Sequence, residues 1–240
     1  MKLFVLFVLI LLSFLFYGIL SAQTYHWDVL VTYRAVFLKG WLTTIFLSLA
    51  SLVLSLLIGL VTCLLRKSHF SFFRCLAQVY IEIIRGTPLL VQLLFFFYVV
   101  ASSLHIENRY CVGVITLSLF SGAYIAEIFR SGIDSVRKTM LESATAIGLT
   151  QWQTYRHVIF PISIRQILPP LAGQFTSIIK DSSLLSILGI SEFTYAAQQV
   201  SSASYSTLES YFPLAIGYLI LTLPISLTSR YLEKRSRHEA

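Results

Sequence analysis

Residues 41–65, WLTTIFLSLASLVLSLLIGLVTCLL, hold no charged side chain. An apolar run of roughly 18 residues or more reads as a membrane span. At 1.5 Å per residue a helix of that length crosses a hydrocarbon core about 30 Å thick. Working outward, runs of the same kind lie at 3–20, 88–104, 111–128, 171–190 and 211–228.

The composition agrees. Of 240 residues, 56% are hydrophobic and 12% charged, and mean hydropathy is +0.77. A soluble domain carries about twice that charged fraction. The chain reads as an all-α membrane protein: a helical bundle of five core transmembrane helices, with an N-terminal sixth if the first segment is retained. Residues 23–240 form one membrane domain, since no polar segment is long enough to fold a soluble one. Residues 1–22 have two readings. One positive charge, an apolar core and a small-residue end at Ser21–Ala22 resemble a signal peptide, but the core exceeds the usual 7–15 residues. Residues 27–39 then form an outside segment, a candidate amphipathic helix at the interface.

The net charge of +7 reads as membrane orientation rather than nucleic-acid binding, because Lys and Arg collect on cytoplasmic loops. Arg66, Lys67, Arg74 and Arg85 follow the second run. Arg130, Arg137, Lys138, Arg156 and Arg165 follow the fourth, and Arg230, Lys234, Arg235 and Arg237 the last. Alternate segments hold only Arg34 and Lys39, then Arg109, then none. Segments 66–85 and 130–165 and the C-terminus are thus predicted cytoplasmic, and 104–110 and 191–210 outside. Cys63, Cys75 and Cys111 make no CxxC pair, the histidines show no metal spacing, and GxxxxGK[ST] is absent. No cofactor, metal site or ATP site is expected on this chain.

Between two oily runs lies a polar, aromatic and basic stretch, ESATAIGLTQWQTYRHVIFP, residues 142–161. Thr139 followed by Glu142 reads as a capping box, as does Thr150 followed by Gln153. Gly148 stands where a helix ends in a left-handed residue, and Pro161 is expected to end the second helix. The prediction is a helix over 140–147, a turn at Gly148–Leu149 and a helix over 151–160. A helix this short is held by docking rather than by itself. Ser143, Ala144 and Ala146 are small enough to let a partner approach.

Glu142, Ser143 and Ala144, then Gly148, then Val158 to Pro161 resemble the signature loop of ATP-binding-cassette importer permeases: Glu-Ala-Ala, three residues, Gly, nine residues, Ile-x-Leu-Pro. Every spacing matches; Ser143, Val158 and Phe160 depart mildly from the commonest letters. EIIRGTPLLVQLLFFFY at 82–98, SGAYIAEIFRSGI at 121–133 and KDSSL at 180–184 are similar to the polar amino acid uptake branch. The resemblance runs from about residue 27 to 237. It implies a multi-pass permease of a bacterial inner membrane and no enzyme activity of its own. It also implies partners: cytoplasmic ATP-binding subunits, an extracytoplasmic amino-acid-binding protein and a second permease copy, identical or paralogous. Glu142, Ser143, Ala144, Gly148 and Pro161, in a coupling loop of about 134–161, would then meet the ATPase.

Ionisable groups inside spans face the interior or a cavity. Lys180 and Asp181 fall within the fifth run and Glu127 toward the end of the fourth. They are read as path residues together with Thr176 and Ser182, meeting an amino acid's two charges, or alternatively as a buried pair of Lys180 with Glu127 or Asp181. A path-lining Glu127 would favour arginine or lysine over glutamine. Pro169–Pro170 is expected to break the helix at the start of the fifth run, and Pro88 to begin one. The competing functional reading is a secondary transporter or channel for small polar solutes.

Overall fold

The computed structural model describes residues 25–238, all in helices and short connections. The apolar run at 3–20 lies outside them. A short α1 (Asp28–Thr32) is separated by Tyr33 from α2 (Arg34–Arg66), so the helix expected over 27–39 is divided there. Then come α3 (Ser71–Gly86), α4 (Leu89–Phe95) continued by a π-helical stretch Phe96–Ala101, and α5 (Arg109–Asp134). The polar cassette is α6 (Lys138–Ala146), α7 (Gln151–Thr154) and a second π-helical stretch Tyr155–Ile159. The chain continues with α8 (Phe160–Asp181), a 3₁₀ stretch Ser182–Leu188, α9 (Phe193–Ser204) and α10 (Thr207–His238).

Three helices among the described residues are long and apolar enough to cross a membrane: α2, α5 and Thr207–Lys234 of α10. A fourth span results if α3 and Leu89–Ala101, bent by 108°, count as one. The bundle forms because α2 and α5 both present small residues. Ser48, Ser51, Ser55 and Gly59 of α2 are buried against Ser118, Ser121, Gly122 and Ala126 of α5. In lipid no hydrophobic force joins helices, so close backbone approach must do it. The fit is reciprocal. A Cβ at Gly59 would lie 2.6 Å from Ile125 Cγ2, and one at Gly122 would lie 2.7 Å from Ile58 Cγ2. Leu47, Leu89, Leu93, Leu117, Leu185, Leu188 and Ile190 form an apolar core joining α2, α4, α5 and the 3₁₀ stretch.

Several expectations are corrected. Segment 66–85 is no loop: α3 fills most of it, burying Ala77, Ile81 and Ile84. Its charged residues Arg74, Glu82 and Arg85 are on exposed positions, which hid the stripe from a search for uncharged runs. The fifth run, 171–190, is not one helix. α8 ends at Asp181, and Gly189, at φ 67, closes the 3₁₀ stretch after it. Pro169 and Pro170 do not break α8. They remove the donors that would bond the carbonyls of Arg165 and Gln166, yet packing on α5 and α10 holds the helix. The Pro169 carbonyl accepts from Ser229 Oγ of α10 at 2.9 Å.

Pro161 begins a helix rather than ending one, being the second residue of α8. A proline ring clashes with the carbonyl four residues earlier. The π-helical stretch widens the turn there, and the Phe160 N–H reaches back to the Tyr155 carbonyl. Pro88 is the residue before α4 rather than its first. The α3–α4 elbow is tied by Gln92, whose Nε2 donates to the Ile84 carbonyl at 2.8 Å, Thr87 Oγ1 at 2.8 Å and the Thr87 carbonyl at 3.2 Å.

Candidate functional site

The cassette closes on itself through local bonds. Leu149 N–H donates to the Ala144 carbonyl and Gly148 N–H to the Thr145 carbonyl, both at 3.0 Å. These are the paired bonds of a helix ended by a left-handed residue, and Gly148 has φ 77. Thr150 begins α7 with a complete capping box: its Oγ1 accepts from Gln153 N–H at 3.3 Å, and its own N–H donates to Gln153 Oε1 at 2.9 Å. The Thr139–Glu142 box does not form. α6 begins at Lys138 with Arg137 before it and no side-chain cap, leaving Thr139 inside, where its carbonyl accepts from Ser143 Oγ.

Of the sequence-predicted coupling residues, Glu142, Ser143 and Gly148 are exposed, Pro161 is half-buried and Ala144 is buried. Between α6 and the following turn runs an open groove of about 370 Å³, lined by Thr139, Met140, Ser143, Ala144, Ile147, Leu149 and Val158. Ile147 and Trp152 stand largely exposed beside it. Apolar side chains displayed at the end of α6 and on the capped α7 are suited to contact with a groove of another protein.

The predicted path residues divide. Thr176 and Ser182 are buried, Asp181 is half-buried and Lys180 is exposed. Lys180 makes no ion pair among the described residues. Gln166, Pro170, Gly173 and Lys180 recur at three- and four-residue steps on the outward face of α8, with half-buried Ser177 in the same stripe. Glu127 does not belong with them, and the expected Glu127–Lys180 pair is absent. Glu127 is ion-paired with Arg66 of α2 and with Arg130, whose Nη2 lies 2.8 Å away. Arg130 also bridges to Asp134 at 3.0 Å, which accepts from Lys67, the residue just after α2, at 3.0 Å. The chain of charges fastens the ends of α2 and α5, which sequence could not show because Arg66 is sixty-odd residues from Glu127.

Glu192 was missed. It is fully buried and precedes α9, where its carboxylate accepts from the N–H groups of Thr194 at 2.9 Å and Tyr195 at 2.8 Å. Tyr218 of α10 donates to it at 3.0 Å and Thr44 of α2 at 3.4 Å. One carboxylate thus joins three helices. The available signal was that Glu192 is the only charged residue between Asp181 and Glu209.

Residues 52–238 match the family model described as binding-protein-dependent transport system inner membrane component. The glutamine transport system permease protein GlnP of Escherichia coli K12 is 35% identical over 216 residues, covering 89% of this chain and 98% of that protein. A probable glutamine ABC transporter permease protein, GlnM of Bacillus subtilis 168, is 33% identical, covering 84% and 93%. A crystal structure described as an amino acid ABC transporter with histidines superposes with TM-score 0.81 at 34% identity, over 89% of this chain and all of that one. An inward-facing MetNI methionine ABC transporter, TM-score 0.69 at 14% identity over 85% of this chain and 97% of that one, shares the fold. Such permeases work with separate ATP-binding subunits and a substrate-binding protein, which decides against a channel or secondary transporter. The chain belongs to the binding-protein-dependent transport system inner membrane component family, as a multi-pass permease subunit of an ATP-binding-cassette importer.

Proposed function

We propose that this permease carries a neutral polar amino acid, with glutamine the first choice. Two observations support glutamine over a cationic substrate. Glu127, the group that would have favoured arginine or lysine, is occupied by Arg66 and Arg130. The outward stripe of α8 carries one charge, Lys180, and it is positive. A cation meets repulsion there, whereas the substrate carboxylate meets a partner. Thr176, Asp181 and Ser182 support the same wall, with Asp181 placed to receive the ammonium. The relatives named for glutamine agree. The path is completed by a second permease copy, identical or paralogous.

The observation that carries the coupling assignment is the capped α6–Gly148–α7 unit with its apolar groove. Glu142, Ser143, Ala144, Gly148 and Pro161 form the contact with the ATP-binding subunits. Residues 23–240 act as one permease domain with the coupling loop at about 134–161, and the C-terminus is cytoplasmic.

Reconstituting the permease with its ATP-binding subunits and binding protein tests both. Glutamine-loaded binding protein should stimulate ATP hydrolysis more than the arginine-loaded form; the reverse order would reject the substrate choice. Gly148→Val places a β-branched residue at positive φ, which it resists. Uptake should be lost with membrane insertion intact. Normal uptake would remove the coupling role.

A further inference from the structure

We propose that Tyr205 is the anchor by which the extracytoplasmic amino-acid-binding protein docks on this permease. The proposal rests on the reading that segment 191–210 lies outside.

Tyr205 sits between α9 and α10 with φ 54 and ψ 22, in the left-handed region, and is 94% exposed. That backbone strains any residue with a Cβ, and glycine or asparagine fills it more easily. Gly148 and Gly189 occupy the same region elsewhere in the chain, as does one other non-glycine among the described residues, His105 at φ 54. Capping α9 therefore does not call for a tyrosine. A ring held outward at a strained position, with nothing among the described residues packed on it, is accounted for by what it meets beyond them.

The surroundings have the composition of a recognition surface. Residues 201–207 read SSASYST: one aromatic among small hydroxyl side chains. Tyrosine gives large contact area at low entropic cost, and serine gives adaptable hydrogen bonds. Gln198, Gln199, Ser202 and Ala203 are exposed beside it. The nearest charges along the chain, Glu192 and Glu209, are both buried. The tip is also pre-set. Ser204 Oγ accepts from Ser206 N–H at 3.3 Å, Ser206 Oγ donates to the Ser204 carbonyl at 3.3 Å, and Ser210 Oγ donates to the Ser206 carbonyl at 2.7 Å. Below it the His26 N–H donates to Glu209 at 2.6 Å, tying the start of α10 to the segment before α1. A tip fixed before contact loses less freedom on binding.

A membrane-interface tyrosine is the competing reading, and depth argues against it. Trp27 and Phe212 already pair edge-on, ring centres 6.0 Å apart, and are 43% and 51% exposed. Phe212 lies five residues into α10, roughly 8 Å along its axis, while Tyr205 precedes that helix. We take the Trp27–Phe212 pair as an interfacial aromatic anchor, which puts Tyr205 on its water side.

The test uses Tyr205→Gly in the full complex in lipid nanodiscs. Glycine relieves the strained backbone while removing the ring, so folding is not at risk. Glutamine-loaded binding protein is titrated and ATP hydrolysis followed. The half-saturating concentration should rise about tenfold, with the rate at saturation returning to the wild-type level. Tyr205→Phe, which keeps the ring, should fall between the two. A half-saturating concentration within about twofold of wild type overturns the proposal. So does a loss of membrane abundance or of permease pairing, which would assign the ring to lipid or to the second copy. If the loaded binding protein fails to stimulate the wild-type complex, the transport reading falls and this one with it; a responsive wild type with an unaffected Tyr205→Gly rejects this one alone.

Discussion

α2 and α8 both expose one face, and the two faces differ. Between Lys39 and Arg66 the exposed residues of α2 are Leu42, Phe46, Leu49, Val53, Leu57, Leu60, Val61 and Leu64, all apolar. On α8 Phe160, Ile164 and Leu168 are exposed, but so are Arg165, Gln166, Pro170, Gly173 and Lys180. Exposure of the first kind is what a helix presents to lipid tails. The second would leave an amide and an ammonium facing hydrocarbon, at a cost of about 2.5–3.5 kcal/mol for the lysine at mid-depth. In a membrane chain, an exposed face is informative through its chemistry, and the α8 face belongs against water or a second subunit.

The sharpest test puts the same charge on each. Val53→Arg near the middle of α2 should cost about 2.5–3.5 kcal/mol of insertion and deplete the subunit from the membrane by immunoblot. Gly173→Arg has open space around the added Cβ. It should leave abundance within about twofold while abolishing uptake. Equal depletion by both would erase the distinction.

The inner face of α2 offers the next contrast. Gly59→Val forces a side chain into Ile125, and overpacking of this kind costs about 1–3 kcal/mol. The melting temperature of the purified permease should fall. An unchanged value would mean that the α2–α5 seam is looser than the geometry requires.

Glu127→Gln follows in size. Arg66 and Arg130 lose their shared counter-charge, in a site whose side chains are 18–36% exposed. Solvent screening reduces the loss to about 1–2 kcal/mol. Abundance should fall alike for every substrate, with the order of preference among glutamine, arginine and lysine unchanged. A change in preference would return Glu127 to the path.

The smallest effect on the fold is expected from Lys180→Met. Abundance should hold, since no ion pair is broken. Uptake should drop about tenfold, consistent with losing one charge-assisted bond to a substrate carboxylate. Raised abundance with normal uptake would place Lys180 against lipid.

Much of this was legible from sequence, for identifiable reasons. Long apolar runs announced α2 and α5, because the bilayer disfavours charge over a known thickness. Gly148 and the Thr150–Gln153 box were readable because caps are local and span a few residues. α3 was not, because an amphipathic helix carrying Arg74, Glu82 and Arg85 fails a search for apolar length. The ion pair of Glu127 was not legible because its partner Arg66 comes from another helix. Pro161, Pro169 and Pro170 misled because proline rules describe isolated helices, whereas here a π-helical stretch and packing on α10 accommodate the rings. Glu192 needed three helices to be brought together before its role could be seen.

The helical path from Gln151 to Asp181, through the π-helical stretch and α8, has no intervening loop. At 1.5 Å per residue it spans roughly 45 Å. Geometrically this is one uninterrupted rod: its near end forms part of the cassette and its far end bears Lys180. Force along such a rod meets no slack hinge in which to dissipate. Besides the two donors missing at Pro169 and Pro170, its irregularity is the wide turn before Pro161, where taking up a single residue would rotate everything beyond it by about 100°. A twist of that size would swing the Gln166–Lys180 stripe away from whatever it faces.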